Sequence, residues 1–236
     1  MSFIFKEFFY RPLFNALVGL YNLIPGDDFG LAIIVLTVVI RLFLSPLSFK
    51  TLRSQRELAK VQPKLKELQE KFKNDKQALS QATLALYREH NINPFGGCLP
   101  IIIQIPILFA LYKAFSLGTD SKNLEILYPF VQNPGSVNNL SLNFIDLSKK
   151  APYLAILAGF FQFIQAKISA KINKTNPAPG QDNIAQTLNR QMLYFFPAMI
   201  IIISWGLPSG IVVYWVTTTI YSIIEQLVFN RKHPSA

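Results

Sequence analysis

The sequence predicts an all-α integral membrane protein: a five-transmembrane-helix bundle with a cytoplasmic helical hairpin and an N-terminal interfacial helix. Three observations predict it. Long apolar runs alternate with one very polar segment, and runs of this length are read as membrane spans. The polar segment carries leucines at helical spacing. Lys and Arg gather in alternate connections between the runs. The 236 residues are 51% hydrophobic, a share soluble domains also reach, so the distribution decides the class and the mean does not. With several spans present, the net charge of +10 fits an anionic lipid surface, and no direct nucleic-acid partner is expected.

Each element follows in order. Residues 1–28 are aromatic-rich but too interrupted to span. Phe3-Ile4-Phe5 is broken by Lys6-Glu7, with no cleavage site after a long apolar core, so no signal peptide is read. Leu13, Phe14, Leu17, Tyr21 and Ile24 share one helical side, as in a helix lying in the interface. Pro25-Gly26-Asp27-Asp28 ends it. Transmembrane helix 1 is placed at 29–49, with a single charge, Arg41. Residues 50–91 form a coiled-coil-like hairpin. Leu58, Val61, Leu65, Leu68 and Phe72 make a heptad seam, and Leu79, Ala82 and Leu86 a second stripe after the turn Lys73-Asn74-Asp75-Lys76. Pro63 is expected to kink or restart the first arm.

Transmembrane helix 2 is placed at 94–117, containing Pro100 and Pro106, and an extracytoplasmic loop at 118–150. Helix 3 follows at 151–168, a cytoplasmic loop at 169–190, helix 4 at 191–206, helix 5 at 210–229 and a tail at 230–236. The turn Gly206-Leu207-Pro208-Ser209-Gly210 makes the last two a hairpin. Helices 3 and 4 are short against the roughly 20 residues a hydrocarbon core needs. Short spans thin the bilayer locally. The hairpin segment is rich in Lys and Arg. The 169–190 connection carries Lys171, Lys174 and Arg190, and the tail Arg231 and Lys232. With five spans these all fall on one side, so the N-terminus is outside and the C-terminus cytoplasmic.

Arg41 is the strongest pointer to function. It lies nine residues before Lys50, roughly 13 Å from the cytoplasmic flank, too deep for easy snorkelling. An arginine there costs about 2.5–3.5 kcal/mol on insertion scales. No acid sits at matching depth; Glu225 lies near the inner end of helix 5. The arginine is therefore read as a charge kept in a wet cavity for something transient, against the blander alternative of a structural arginine bonded to peptide oxygens. Gln104, Gln162, Gln165, Trp215, Thr218, Thr219, Ser222 and Gln226 are candidates to line the same groove. Interhelical hydrogen-bond glue is the competing reading of each alone. The basic hairpin reads as a lid that recruits partners secondarily.

Several chemistries have no machinery here. There is no GxxxxGK[ST] loop and no HExxH. His90 and His233 lie outside the spans, so neither a metal site nor a Ser/His/Asp set is read. Cys98 is the single cysteine, which excludes a disulfide framework. No cofactor, no metal and no enzymatic activity are expected.

Five ordered segments carry a resemblance: GLAIIVLTVVIRLFLSPLS with Arg41, QPKLKELQEKF, NPFGGCLPIIIQIPILFALY from Asn93 to Tyr112, FIDLS from Phe144 to Ser148, and LPSGIVVYWVTTTIYSIIEQ from Leu207 to Gln226. In this order they resemble the Oxa1/Alb3/YidC family of membrane protein insertases, in its minimal bacterial form, from about Gly30 onward. The resemblance implies a five-helix core around a hydrophilic groove open to cytoplasm and lipid, in the bacterial inner membrane. It places the groove arginine on Arg41 and a substrate-contacting aromatic on Trp215, with Tyr214 beside it as part of a substrate slide. It implies nascent membrane proteins as substrates, and a Sec-type translocon, the ribosome, signal-recognition machinery and anionic lipids as partners. The family often has asparagine at Thr218 and Thr219 and glutamine at Glu225. Two rival functions are a small-solute transporter or channel, which would want internal repeats or a charged relay, and a passive scaffold subunit, which would tolerate a neutral residue at Arg41.

Overall fold

The computed structural model describes residues 3–90, 92, 99–116, 126–135, 137–142, 144–172 and 184–233. Parts of the second span, of the extracytoplasmic loop and of the 169–190 connection, with Cys98, lie outside the described residues. The described chain is helical apart from one two-stranded ribbon. A short helix α1 (Phe3–Phe5) runs through a π-turn (Lys6–Tyr10) into α2 (Arg11–Leu23). Then come α3 (Phe29–Lys71), α4 (Lys76–Glu89), α5 (Leu99–Ser116), β1 (Leu140–Ser141), β2 (Ile145–Asp146), α6 (Pro152–Ile172), α7 (Ile184–Gly206) and α8 (Ser209–Lys232). Among the described residues, α3, α6 and α8 are long and apolar enough to cross a membrane; Leu193–Gly206 of α7 is apolar but shorter.

The start of α3 shows how local chemistry fixes this end of the helix. Gly26 (φ 90°) and Asp27 (φ 49°) turn the chain through left-handed backbone. Asp28 then caps α3: its Oδ1 accepts from the Gly30 and Leu31 amides at 2.8 and 3.0 Å. Its Oδ2 accepts from the Leu142 amide at 2.7 Å, tying the helix to the turn of the ribbon. Gly30 is required by that approach, because a Cβ there would overlap the Ser141 side chain. The ribbon pairs Leu140 with Asp146 and Ser141 with Ile145. Just beyond it, the Leu147 and Lys149 carbonyls accept from the Gly210 and Ser209 amides at 3.0 and 2.8 Å, satisfying donors that the first turn of α8 leaves open. One short segment thus sets α3 and α8 at the same level.

The α2 helix buries the side the sequence marks as apolar. Phe14, Leu17, Val18 and Tyr21 enter the core, while Phe3, Phe8 and Leu23 stay exposed. Buried Asn15 donates to the Ile126 carbonyl at 3.2 Å and accepts from the Tyr128 amide at 2.6 Å. Arg11 adds a bond to the same carbonyl and a cation–π contact with Tyr128. Asn22 donates to the Gln132 carbonyl, and the Tyr21 hydroxyl accepts from the Asn138 amide. The helix therefore grips residues 126–138.

The 43 residues of α3 extend about 65 Å, twice a hydrocarbon core of about 30 Å. Of the kink or restart expected at Pro63, the restart does not occur: the helix assignment runs unbroken through Pro46 and Pro63. Pro63 is exposed, so the carbonyl it frees one turn back can bond water. After a turn, α4 starts on an Asp75 cap and lays Leu86 against Val61 and Ile92, flanked by Leu58, Leu65 and Leu68. Elsewhere α8 packs between α3 and α6, and α7 covers α6. Gly159 lets α6 and α7 close, since a Cβ there would overlap Ile201. Both helices run longer than their apolar stretches, to Ile172 and from Ile184.

Candidate functional site

The shared anchor at the starts of α3 and α8 lets positions along the two helices be compared by helix arithmetic. Arg41 lies 12 residues into α3, about 18 Å along it. Ser45 is one turn further, about 24 Å in, and Glu225, 16 residues into α8, reaches the same depth.

Half-buried Arg41 donates from Nη2 to Gln104 Oε1 on α5 at 3.4 Å. Gln104 Nε2 in turn donates to the hydroxyl of Tyr214 on α8, which is buried. Thr218 lies beside that hydroxyl, its own oxygen buried without a well-formed hydrogen bond. One turn inward, Ser45 Oγ donates to Glu225 Oε1 at 2.7 Å and meets the Tyr221 hydroxyl at 2.9 Å. Ser48 lies beside the same carboxyl. Among the described residues the ion pairs are Arg11–Glu7, Lys60–Glu57 and Lys149–Asp146, so neither Arg41 nor Glu225 is salt-bridged. No peptide oxygen among the described residues bonds Arg41.

Other candidates are not drawn into this chain of bonds. Gln162 is buried and donates to Gln165 Oε1 at 3.1 Å, within α6. The Thr219 hydroxyl folds back onto the Trp215 carbonyl at 2.9 Å. Trp215 and Ser222 are half-buried. Gln226 accepts from Ser169 of α6 at 3.2 Å. The polar side chains of α8 are therefore divided: Tyr214 and Glu225 bond residues of α5 and α3, while Gln226 turns to α6. On the adjoining side of α8, Ile34, Val38, Leu154, Val213, Val216 and Ile220 line an apolar cleft of about 380 Å³. Tyr221 borders both, its ring in the cleft and its hydroxyl on Ser45. Ser45, Tyr221 and Glu225 escaped the sequence reading. Ser45 and Ser48 follow Arg41 at helical spacings of four and seven, a signal from which both could have been found.

The outer edge is electrostatically set. Burial pushes the Asp28 carboxyl up, but bonds from the Leu142 amide, the Ser141 side chain and the Leu31 and Gly30 amides outweigh it, and the net shift is below the usual range. Asp146 is held down to about 2 by the Ser148 hydroxyl and by Lys149. Among the described residues no cluster of His, Cys, Asp or Glu is arranged to hold a metal.

Residues 19–236 match the family described as 60Kd inner membrane protein. The chain belongs to this Oxa1/YidC family. It is 36% identical over 207 residues to a membrane protein insertase YidC of Fusobacterium nucleatum, covering 87% of both chains. It is 34% identical over 227 residues to one of Geotalea daltonii, covering 95% of this chain and 38% of that protein. Against a YidC of Syntrophus aciditrophicus the identity is 37% over 223 residues, covering 94% and 36%. The chain thus spans under two-fifths of the length of the latter two YidC proteins.

Proposed function

We propose that this chain is a membrane protein insertase and chaperone, working without covalent chemistry. Family membership supports it, as do relatives named insertases. The observation that carries the mechanism is Arg41: a half-buried guanidinium inside an apolar helix, bonded to an amide and to no acid. A guanidinium has five donors. One long bond to Gln104 leaves most of them for water or for a visiting group.

In this reading α3, α5, α6, α7 and α8 supply the five spans of a bacterial inner-membrane protein. The N-terminus is outside, and the α3 extension with α4 is a cytoplasmic hairpin. Arg41, Gln104, Tyr214, Thr218 and Trp215 form the groove wall, with Ser222 further in. Polar walls lower the desolvation cost of drawing a polar flank into the slab, and an acidic residue in that flank is attracted to Arg41. The apolar part slides past Tyr214 and Trp215 into lipid. The membrane potential adds about 2.3 kcal/mol per charge per 100 mV. Gln162 and Gln165 stand behind this wall, on α6. A Sec-type translocon, the ribosome, signal-recognition machinery and anionic lipids are partners the basic hairpin suits.

Reconstituted vesicles test the reading. Insertion of a reporter with an acidic translocated flank should fall about tenfold or more in Arg41→Ala, the loss of one close charge contact. Normal insertion of every reporter by Arg41→Ala would remove the groove charge from the mechanism.

A further inference from the structure

The carboxyl of Glu225 has no part in the mechanism so far. It is 6% exposed, in an apolar stretch of α8; its hydrogen-bond partner is Ser45, with Ser48 beside it, and Arg41 acts on it through space without forming an ion pair. A carboxylate offers about four acceptor sites, and two hydroxyls leave the rest open. No cation is within ion-pair distance among the described residues. An ionisable group at such a place is expensive and marks a function by default.

Its position gives the function. Along α3, Arg41 precedes Ser45 by one turn, about 6 Å, and Glu225 lies at the Ser45 level. From outside to inside the wall therefore presents a cation and then a carboxyl. The roughly 6 Å between them is far shorter than an apolar run of about 30 Å, so an entering segment meets them in turn: its leading acidic residue at Arg41, and its trailing basic residue at Glu225 after the apolar run has passed. Basic residues on the cytoplasmic flank are what inserted segments carry. We infer that Glu225 is a specificity residue: it receives the Lys or Arg of the substrate's cytoplasmic flank, Ser45 giving way as the ammonium or guanidinium arrives. The pair Arg41 and Glu225 then reads the orientation of the segment. Ser45 holds the carboxyl between substrates and is itself bonded by Tyr221, which also lines the apolar cleft. This inference rests on the insertase reading.

The test uses the whole chain in vesicles with two reporters that differ in one cytoplasmic-flank residue, Lys or Gln. The wild type should insert the Lys reporter about fivefold faster or better. Glu225→Gln keeps the shape and the serine contacts, and should bring that ratio to about one while the Gln reporter keeps its rate. Glu225→Lys should reverse the preference toward a Glu-flanked reporter. A Lys preference that survives Glu225→Gln, or an equal loss on both reporters, overturns the inference. Absence of insertion of both reporters by the wild type defeats the insertase reading itself, a separate outcome. Membrane accumulation and the thermal unfolding midpoint of each variant identify a folding failure. In that case Ser45→Ala, which frees the carboxyl without removing it, must keep or raise the Lys preference; its loss there also overturns the inference.

Discussion

At the residue scale, the site is a set of polar side chains held in apolar helices by one another. Gln104 is the joint, accepting from Arg41 and donating to Tyr214. Gln104→Leu should leave both partners unsatisfied, costing about 1–3 kcal/mol, read as a lower thermal midpoint in detergent. Asp28 combines a helix cap with a bond to Leu142; Asp28→Ala should cost about 1–2 kcal/mol. Because its folded carboxyl lies below the usual range, its contribution is present above the unfolded value and lost as pH falls through the folded one. An acid titration of unfolding should therefore be flatter in Asp28→Ala than in the wild type. Arg41 was legible in the sequence because one cation in a run of aliphatic residues has no ordinary explanation. Glu225 was not, since an acid a few residues before Arg231 and Lys232 reads as the start of a polar flank. Gln162 and Gln165 stand three residues apart on α6, a spacing that lets them bond each other.

At the element scale, α8 does most of the organising. One side meets α3 and α5 through Tyr214, Tyr221 and Glu225, and another meets α6 through Gln226. The α6–α7 contact depends on Gly159, so Gly159→Leu should force the helices apart and cost about 1–3 kcal/mol, seen as a lower unfolding midpoint. The α3 extension and α4 share a small separate core around Val61 and Leu86. Leu86→Ala should expose α4 to protease while leaving the midpoint of the bundle unchanged. The leucine seam of that extension was readable because Leu58, Val61, Leu65 and Leu68 keep a heptad spacing. The continuity of α3 through Pro63 was not, because proline's ordinary effect is to break a helix and its tolerance here depends on facing water. The ribbon was missed as well: strands of two residues carry no period.

At the scale of the whole molecule, one short segment anchors the starts of α3 and α8, and the polar side chains follow that anchor along both helices. The all-α character and the apolar helices were legible from hydropathy. The bonding within the wall was not, because which turn of one helix faces which turn of another depends on tertiary packing. The most direct measurement places a photoreactive residue at position 215 and stalls a nascent membrane protein at successive lengths in the presence of this chain. The account predicts crosslinks to the polar flank first and to the apolar segment at longer lengths, with the first set weakened by Arg41→Ala. Equal crosslinking at every length, or none at any length with insertion intact, would contradict it.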